Sequence, residues 1–584
     1  PGPPLSAPCR ALRLPCPLPA RPRGRGANAH AVHREAAGPA ERRSGAAERL
    51  AVQGPAPATN PNLTRAMFTL VVLGSAISLL TAILVLHQLA RPPNYPPGPR
   101  WLPVLGNLLD LKRLVRKLGS QHAAFESLCQ EYGSSVLGLR LGRDLVIVAS
   151  GYEAVSEVLT SDDYLGRPDN FFMRLRTMGT RKGITMTDGA LWSEQRRFAV
   201  RHFRQLGYGK VHMEELILAE LADLLAELEP ACARAEAVSL GPLLPPSVLN
   251  VLWALTAGTR FPHGDARLRR LLDLMAQRGR AFDMAGGVLG TLPWLRHIAP
   301  ERTGFNLLNR LNAELRELLL ETIGDHNASY VQGRTRDLID AYLHEVKARE
   351  ADSEQSSFTE EQLVMVCLDM FLAGSYTTSN TLNFALMLLV LHPDVQSKCF
   401  KDIYNNVEKG RLPSLTDRQK LPYIEAVIME VMRLYYVVPI TGPRRALQDT
   451  KLMGYSVPKD TVVLINIHSI HHDKKHWGDP EVFRPERFLN ERGKIQADEH
   501  LINFGIGKRR CLGDALARNC LFLFLSGLLQ RYRLSVPPGE AAPCREPVPG
   551  LTQCPQPYRV MLTPRTACPG SPRSPRTPSP LPGA

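Results

Sequence analysis

One cysteine of this chain stands in a setting that favours chemistry. Cys511 lies in the glycine-rich segment 503–513, NFGIGKRRCLG, and a helical pattern begins at Asp514. The N-terminal end of that helix and the charges of Arg509 and Arg510 favour the thiolate form of the cysteine. A thiolate is both a nucleophile and a metal ligand, so the segment predicts one of these two roles for Cys511.

Alternative roles for Cys511 fit its surroundings less well. A nucleophile needs a positioned base, and none is evident in the motif. A buried structural cysteine is the other alternative, and it suits Cys367 and Cys520 better than this cationic, glycine-rich setting. Eleven cysteines in 584 residues, with no C-x-x-C pair, exclude a disulfide scaffold, a zinc ribbon and a thioredoxin motif.

The cysteine segment resembles the haem loop of the cytochrome P450 family. The loop pattern F-x-x-G-x-R-x-C-x-G is met by Phe504, Gly507, Arg509, Cys511 and Gly513. The resemblance covers about residues 66–564. It implies that haem b lies between a long central helix and the cysteine loop, with the Cys511 thiolate as the iron ligand and Phe504 beside the cofactor.

Two further segments resemble structural motifs of the family. Glu430 and Arg433 match the E-x-x-R helix, and their spacing places both side chains on one helix face. The segment 483–488, FRPERF, resembles the loop whose second arginine, Arg487, completes a Glu-Arg-Arg core. The resemblance implies that these three residues lock the backbone that carries the cysteine loop.

The resemblance also implies partners for the haem propionates. Trp192 and Arg196 match the W-x-x-x-R helix, whose indole N–H and guanidinium donate to carboxylates. Arg167 and Arg509 are expected to bind the same groups. Arg444 stands where microsomal relatives often have histidine, and we expect it to serve the same anionic group.

The segment 373–378, AGSYTT, resembles the oxygen-activating turn of the family, A/G-G-x-D/E-T. Gly374 and Thr377 match, and the threonine hydroxyl is expected to assist proton delivery. Tyr376 replaces the acid, and a phenol is a poor proton relay at neutral pH. Either water takes the part of the carboxyl or the reaction needs less external proton supply, and we expect the phenol to order the relay water. A packing notch is the alternative role for Gly374 and Thr377.

An apolar stretch near the N-terminus predicts a membrane anchor. Residues 66–90 contain no charged side chain and are long enough to span a bilayer. A cleaved signal peptide and a buried helix are the alternatives. The basic residues that follow favour a cytosolic body, so we expect a single-pass protein of the endoplasmic reticulum membrane, with an anchor at 67–90. Residues 91–106, rich in proline, predict a stiff hinge.

The two ends of the chain differ from its body in composition. The net charge is +15, but residues 1–66 carry +7 and residues 565–584 carry +3, which leaves a body that does not indicate nucleic-acid binding. Both ends are rich in proline and predicted to be disordered. We interpret 1–66 as upstream sequence, with a natural start at Met67; a genuine basic extension is the alternative. Residues 107–564 form the predicted catalytic domain.

Periodicity in the body is mainly helical. Apolar spacings of three and four predict helices over 212–229, 305–324 and 359–391. Thr359 is expected to cap the last of these helices, with Gln362 completing a capping box. Short β-branched runs predict strands at 136–141, 145–149 and 461–467. The predicted fold class is therefore mainly α with small β-sheets (α+β).

The resemblance implies a membrane-bound haem monooxygenase. Such an enzyme takes electrons from NADPH through a cytochrome reductase, with cytochrome b5 as a further partner. It splits O2 and inserts one oxygen atom into a lipophilic molecule. A cluster of basic residues offers a docking face for the reductase: Lys508, Arg509, Arg510 and Arg518. Haem-binding relatives leave two alternatives open, a peroxide-rearranging enzyme that needs no reductase and a non-catalytic haem sensor or carrier.

Resemblance within the family also bears on the class of substrate. The phrase AGSYTTSN at 373–380 is similar to that of arthropod members that act on hormone-like terpenoids or steroids. The proline-rich hinge, the long helix over 359–391 and the stretch GPRR at 442–445 resemble those of microsomal family-two-like enzymes. We therefore expect a terpenoid-, steroid- or fatty-acid-like substrate.

Overall fold

A computed structural model describes residues 61–207, 209–282, 287–351 and 356–565. Most of the predicted N-terminal extension and nearly all of the C-terminal tail lie outside these ranges, so their predicted disorder stays a prediction. By the compactness of its contacts, the chain divides into two units, residues 1–87 and 88–584.

The first unit contains most of a single long helix, α1 (Pro61–Leu89). At 1.5 Å per residue its 29 residues extend about 44 Å. Its segment Arg65–Ile83 has a mean hydropathy of 2.2 and exposes its side chains. By length and composition this helix can cross a membrane. It begins six residues before the predicted anchor boundary.

The second unit is mainly helical, with three small sheets. Its helices are α2 (Leu108–Leu118), α3 (Gln121–Tyr132), α4 (Tyr152–Thr160), α5 (Phe171–Arg176), α6 (Gly189–Gln205), α7 (Val211–Ala233), α8 (Leu244–Ala257), α9 (Ala266–Ala281), α10 (Gly287–Thr291), α11 (Phe305–Ala328), α12 (Leu338–Ala351), α13 (Glu360–Gly374), α14 (Thr377–Leu391), α15 (Pro393–Asn406), α16 (Pro422–Leu434), α17 (His468–His471), α18 (Lys474–Trp477) and α19 (Asp514–Arg531). Its strands are β1 (Val136–Leu141), β2 (Asp144–Ser150), β3 (Ile440–Arg445), β4 (Thr450–Leu452), β5 (Tyr455–Val457), β6 (Val462–Asn466), β7 (Tyr532–Ser535) and β8 (Met561–Pro564). The predicted fold class is confirmed.

The largest sheet joins distant parts of the chain. Its strand order is β1-β2-β6-β3. Strands β1 and β2 form an antiparallel hairpin, and β2 pairs in parallel with β6 from Val146 opposite Val462 to Ser150 opposite Asn466. The three predicted strands are therefore confirmed within one residue at each end. The other two sheets are the pairs β4-β5 and β7-β8.

The predicted helix over 359–391 is interrupted. Helix α13 ends at Gly374 and α14 begins at Thr377, with Ser375 and Tyr376 between them. The Ser375 hydroxyl donates to the Phe371 carbonyl, as side chains do where a helix bends. The interruption falls within segment 373–378, which the sequence predicted as the oxygen-activating turn.

The predicted cap of α13 is half right. The Thr359 hydroxyl accepts a hydrogen bond from the Gln362 amide N–H at 3.1 Å, as predicted. The Gln362 side chain does not complete a capping box. It donates to the Gly183 carbonyl at 3.1 Å and accepts from the Gly183 amide at 3.0 Å. A partner 179 residues away has displaced the local contact.

A buried charge network fastens helix α16 to the segment that follows α18. Glu430 accepts hydrogen bonds from Arg433 at 2.8 and 2.9 Å and from Arg487 at 3.0 Å. Glu430 and Arg433 are fully buried, and the Trp477 ring lies 5.3 Å from the Arg433 guanidinium carbon and 5.9 Å from that of Arg487. The pairing inferred from the family motifs is present in the structure.

The same helix also holds the start of the cysteine segment. The side-chain amide of Asn503 donates to the Met432 carbonyl at 2.6 Å. The hydroxyl of Tyr436, two residues beyond the end of α16, donates to the backbone carbonyl of Asn503 at 3.1 Å. The charge network and the cysteine segment therefore share α16 as their support.

Four histidines form a second polar cluster in the body; His122 and His471 are buried, and His468 and His472 are partly buried. The ring of His468 lies 4.2 Å from that of His122 and 3.9 Å from that of His472, and His471 is fully buried with no hydrogen bond to either ring nitrogen. Burial lowers the pKa of His122 and His472 to about 4, and it holds the pKa of His468 and His471 well below the ordinary value. These rings are neutral at physiological pH.

We expect Glu430→Gln to destabilise the fold by about 3–5 kcal/mol, because Arg433 and Arg487 lose their buried counter-charge. The free energy of unfolding in urea measures the change. Glu486→Gln is the matched control, since Glu486 pairs with Lys398 near the surface and its loss costs about 1 kcal/mol or less. Equal effects of the two substitutions would contradict a special role for the buried network.

We expect the protein to lose stability as the pH falls from about 6.5 towards 4. In this window the unfolded chain takes up protons on histidines that stay neutral in the folded state, so each buried histidine removes about 1.4 kcal/mol per pH unit. Urea midpoints between pH 7.5 and 5 measure the slope. The double variant His122→Gln, His472→Gln should have a shallower slope; an unchanged slope would show that these rings are not the acid-sensitive groups.

Candidate active site

A cavity lies between the α13–α14 junction and the cysteine segment. Nine of the ten site residues expected from the sequence line it: Arg167, Trp192, Arg196, Gly374, Thr377, Arg444, Phe504, Arg509 and Cys511. They come from elements spread over more than 340 residues of sequence. The fold therefore assembles the site that the motifs describe separately.

The cysteine loop is shaped by backbone hydrogen bonds and one essential glycine. The Cys511 amide donates to the Phe504 carbonyl at 2.9 Å, and the Gly513 amide donates to the Cys511 sulfur at 3.3 Å. Gly507 has a φ of +73°, and a side chain there would lie 2.3 Å from the Leu159 carbonyl oxygen. Only glycine fits this position. The loop therefore has one geometry, with the sulfur facing the cavity.

The thiol pKa differs from the sequence expectation. Enclosure by the surrounding protein raises the pKa of Cys511, although the Gly513 amide and the charges of Arg196 and Arg510 lower it. The Arg509 guanidinium does not turn to the sulfur; its Nη2 donates to the carbonyls of Leu165 and Thr187 at 2.7 Å each. Neighbouring charges alone therefore do not secure the thiolate; a bound cation, which takes the thiolate as its ligand, would do so.

Four arginines that line the cavity have no carboxylate partner among the described residues: Arg167, Arg196, Arg444 and Arg509. Buried atoms of three of them also lack any hydrogen-bond acceptor, namely Nε of Arg167, Nε and Nη1 of Arg444, and Nε and Nη1 of Arg509. Unpaired buried donors of this kind are costly. They fit an anionic group placed in the cavity, and the two propionates of haem b have the required chemistry.

The guanidinium groups are held in place before any anion arrives. Arg167 Nη1 donates to the carbonyls of Gly442 and Pro443 at 2.8 and 2.6 Å. The Arg509 guanidinium carbon lies 4.0 Å from the centre of the Trp192 ring. Burial and neighbouring arginines lower the pKa of Arg444 to about 10 and that of Arg509 to about 9, and a bound anion would reverse this effect.

Gly374 and Thr377 line the same cavity as the residues of the cysteine loop. A side chain on Gly374 would lie 2.4 Å from the Leu252 side chain of α8, so this glycine also permits close packing. The Thr377 hydroxyl donates to the Ala373 carbonyl at 3.0 Å. Gly374 therefore allows close packing against α8 and also lines the cavity, while its role in oxygen activation stays a prediction.

Tyr376 does not take part in the cavity wall. Its hydroxyl donates to the Leu272 carbonyl of α9 at 2.7 Å, and burial raises its pKa. The expectation that this phenol orders a water in the oxygen pocket is contradicted by the structure, because the interrupted helix turns the side chain towards α9. The residue that replaces the family acid is a contact between helices.

The sequence interpretation missed Asp369, an acid of α13 that lines the cavity. Its carboxylate accepts from the amides of Ile184 and Thr185 at 2.7 and 2.9 Å, and also from the Thr185 hydroxyl. Ile184 and Thr185 line the cavity as well. Asp369 thus fixes a wall segment. A lone acid within the apolar run of α13, two turns before Thr377, was the signal in the sequence.

The basic cluster beside the cysteine loop is largely paired. Lys508 contacts Asp162 at 2.6 Å, Arg518 contacts Asp514 at 2.7 Å, and Arg510 also contacts Asp514. The Lys508 and Arg510 side chains remain 62% and 58% exposed. They stay accessible to a partner, although acids of the same chain reduce their net charge.

Comparison with known proteins identifies the family. The cytochrome P450 family model matches residues 96–562. The chain is 48% identical to the probable cytochrome P450 305a1 of Drosophila melanogaster, over 84% of this chain and 100% of the relative. It is 38% identical to the farnesoate epoxidase of Bombyx mori over 84% and 98%, and 34% identical to cytochrome P450 2J1 of Oryctolagus cuniculus over 81% and 92%. The chain belongs to the cytochrome P450 family of haem-thiolate monooxygenases.

Proposed function

We propose that this protein inserts one oxygen atom from O2 into a lipophilic small molecule, using electrons from NADPH that arrive through a reductase. The observation that carries the proposal is the convergence of the Cys511 sulfur, the unpaired arginines and the Thr377 hydroxyl on one cavity. Haem b, when bound, supplies the chemistry of oxygen activation. Cys511 would hold its iron, and Arg167, Arg444 and Arg509 would hold its propionates.

Thr377 is the proposed proton-handling residue of the cavity. Its hydroxyl donates to the Ala373 carbonyl and can accept a hydrogen bond from a water in the cavity. Since the phenol of Tyr376 is engaged with α9, it cannot supply this water with a proton. We infer that a chain of waters takes the part of the family acid.

The cavity wall supports a lipophilic substrate. Apolar side chains form much of the cavity wall, among them Ile184, Val248, Leu252, Met370, Val437 and Val438. The Bombyx mori relative is named as a farnesoate epoxidase, which adds support for a terpenoid substrate. We propose a terpenoid-, steroid- or fatty-acid-like molecule, since such molecules bury apolar surface and present few polar groups.

The membrane placement is part of the proposal. Helix α1 has the length and hydropathy of an anchor, and basic residues follow it, which favours a cytosolic catalytic domain. We propose a single-pass protein of the endoplasmic reticulum membrane. The exposed ends of Lys508 and Arg510 support docking of NADPH–cytochrome reductase or cytochrome b5 at the cysteine-loop face.

We expect Cys511→Ala to abolish the absorption band of the reduced, CO-bound protein that marks thiolate-ligated haem, and with it NADPH-dependent product formation. Cys544→Ala is the matched control, because Cys544 is a half-buried cysteine outside the cavity wall. An unchanged band in Cys511→Ala would reassign the ligand. Conversion of a hydroperoxide in the absence of reductase, together with no consumption of NADPH in its presence, would instead favour the peroxide-rearranging alternative.

We expect Thr377→Val and Tyr376→Phe to separate proton handling from packing. Thr377→Val keeps the shape but removes the hydroxyl, so product per NADPH should fall about tenfold or more, with a matching rise in released peroxide. Tyr376→Phe removes a hydrogen bond to α9, which costs about 1 kcal/mol of stability but leaves coupling unchanged. NADPH, peroxide and product are measured together. Strong uncoupling by Tyr376→Phe would contradict the outward placement of the phenol.

A further inference from the structure

Two histidines and an aspartate meet beside helix α18. Nε2 of His476 lies 2.9 Å from Oδ2 of Asp498, and Nδ1 of His500 lies 3.5 Å from Oδ1 of the same carboxylate. One potential ligand atom from each of the three residues falls within 4.8 Å of the other two. None of the three is among the residues that line the cavity. This group, the His-Asp-His cluster, is therefore separate from the proposed active site.

The His-Asp-His cluster joins two parts of the chain. His476 belongs to the short helix α18, whereas Asp498 and His500 stand just before the cysteine segment that begins at Asn503. The Asp498 carboxylate accepts a hydrogen bond from the His500 amide at 2.8 Å, which fixes the turn between them. The ring of His500 is stacked on those of Tyr152 and His476, with centroid distances of 4.1 and 3.6 Å. Contacts within the protein thus position both Asp498 and His500.

The negative charge of Asp498 has no permanently charged partner. Among the described residues no lysine or arginine pairs with it, and its two contacts are imidazoles, which carry charge only when they are protonated. Nδ1 of His500 is buried and, apart from its 3.5 Å contact with the carboxylate, has no hydrogen-bond partner in the described part of the chain. A carboxylate flanked by two imidazole nitrogens offers three ligands to a cation.

We propose that His476, Asp498 and His500 bind a zinc-like divalent transition-metal ion, which ties α18 to the start of the cysteine segment. Two imidazoles and one carboxylate suit zinc, whereas magnesium and calcium need more oxygen ligands. Zinc bonds of about 2.0–2.1 Å in a tetrahedron hold the ligand atoms about 3.3 Å apart, close to the 2.9 and 3.5 Å found here. The three side chains are 28%, 28% and 17% exposed, so an ion from solvent and a water as fourth ligand can reach them.

Binding requires one change within the cluster. A ring nitrogen binds a metal in the plane of its ring, so two stacked rings share an ion only after one of them turns. The His476 ring is the one that turns, because this residue is exposed at the end of a short helix, whereas His500 is held against Tyr152. The ion would replace the proton between His476 and Asp498 and would give Nδ1 of His500 a partner.

Zinc binding to the full-length, haem-loaded protein tests the site. Equilibrium dialysis against zinc chloride, followed by elemental analysis of zinc and iron, gives the zinc bound per haem. We expect His476→Gln and Asp498→Asn each to weaken this binding at least about tenfold, because one of three ligands is lost. Asp498→Asn keeps an oxygen that accepts from the His500 amide, so the turn is preserved. His212→Gln is the matched control: His212 faces one carboxylate, that of Glu215 at 3.6 Å, and its loss should leave zinc binding unchanged.

Hydrogen exchange of the backbone locates the ion. In the wild type, zinc should slow the exchange of amides 498–503 relative to the protein in EDTA, because the ion ties this segment to α18 and resists its local opening. In His476→Gln zinc should leave this exchange unchanged. Magnesium in large excess should neither slow the exchange nor displace the zinc, since a site with two imidazoles does not suit it.

Several results would overturn the metal site. They are equal zinc binding by the wild type and both variants, the same loss in His212→Gln, displacement of zinc by magnesium, or exchange of amides 498–503 that zinc does not change. If both variants exchange faster than the wild type in EDTA and zinc has no effect on any of them, the cluster is an ion pair that serves the fold, and the metal site is wrong. Neither measurement needs NADPH, reductase or substrate, so the result is independent of the proposed function.

Discussion

Buried positive charge without internal compensation is the constraint on which this structure depends. Around Glu430 the protein supplies its own counter-charge, and Arg433 and Arg487 are satisfied inside the fold. Around the cavity it does not, and buried atoms of Arg444 and Arg509 have no acceptor. Leaving such groups unpaired costs stability that only a bound anion can return. The Glu430 network, which is complete within the protein, thus supports the scaffold. The cavity arginines, which lack acceptors, match the negative charge of the haem propionates.

The buried charge network of Glu430 and the cysteine segment meet on helix α16 and the residues just after it. Glu430 and Arg433 fix the segment beyond α18, while the Met432 carbonyl and the Tyr436 hydroxyl fix Asn503 at the start of the cysteine segment. The loop that carries Cys511 is therefore fixed at its first residue, Asn503, by contacts with α16 and Tyr436. At Gly507 the backbone carbonyl of Leu159 leaves no room for a side chain. Such rigidity suits the role of iron ligand proposed for Cys511, because small displacements of the sulfur would change the coordination geometry.

Predictions from the sequence were correct for features that a local pattern or a motif of fixed spacing determines. The cysteine loop, the pairing of Glu430 with Arg433 and the strands of the main sheet all depend on residues near one another in sequence or on motifs with fixed spacing. Such predictions failed where a distant partner decides a side chain's direction. Gln362 prefers Gly183 to its own helix end, and Asp369 binds a loop 185 residues away. Helical periodicity also carried no sign of the break that turns Tyr376 to α9.

The break between α13 and α14 attaches the turn before Thr377 to helix α9. Tyr376 contacts the Leu272 carbonyl, and the Ser375 hydroxyl lies 3.8 Å from the Met275 sulfur, so both residues between α13 and α14 are attached to α9. Thr377 follows them directly. Where the family pattern has an acid, this chain has a tyrosine whose hydroxyl fastens the turn before Thr377 to α9, so the side chain at position 376 serves packing between helices.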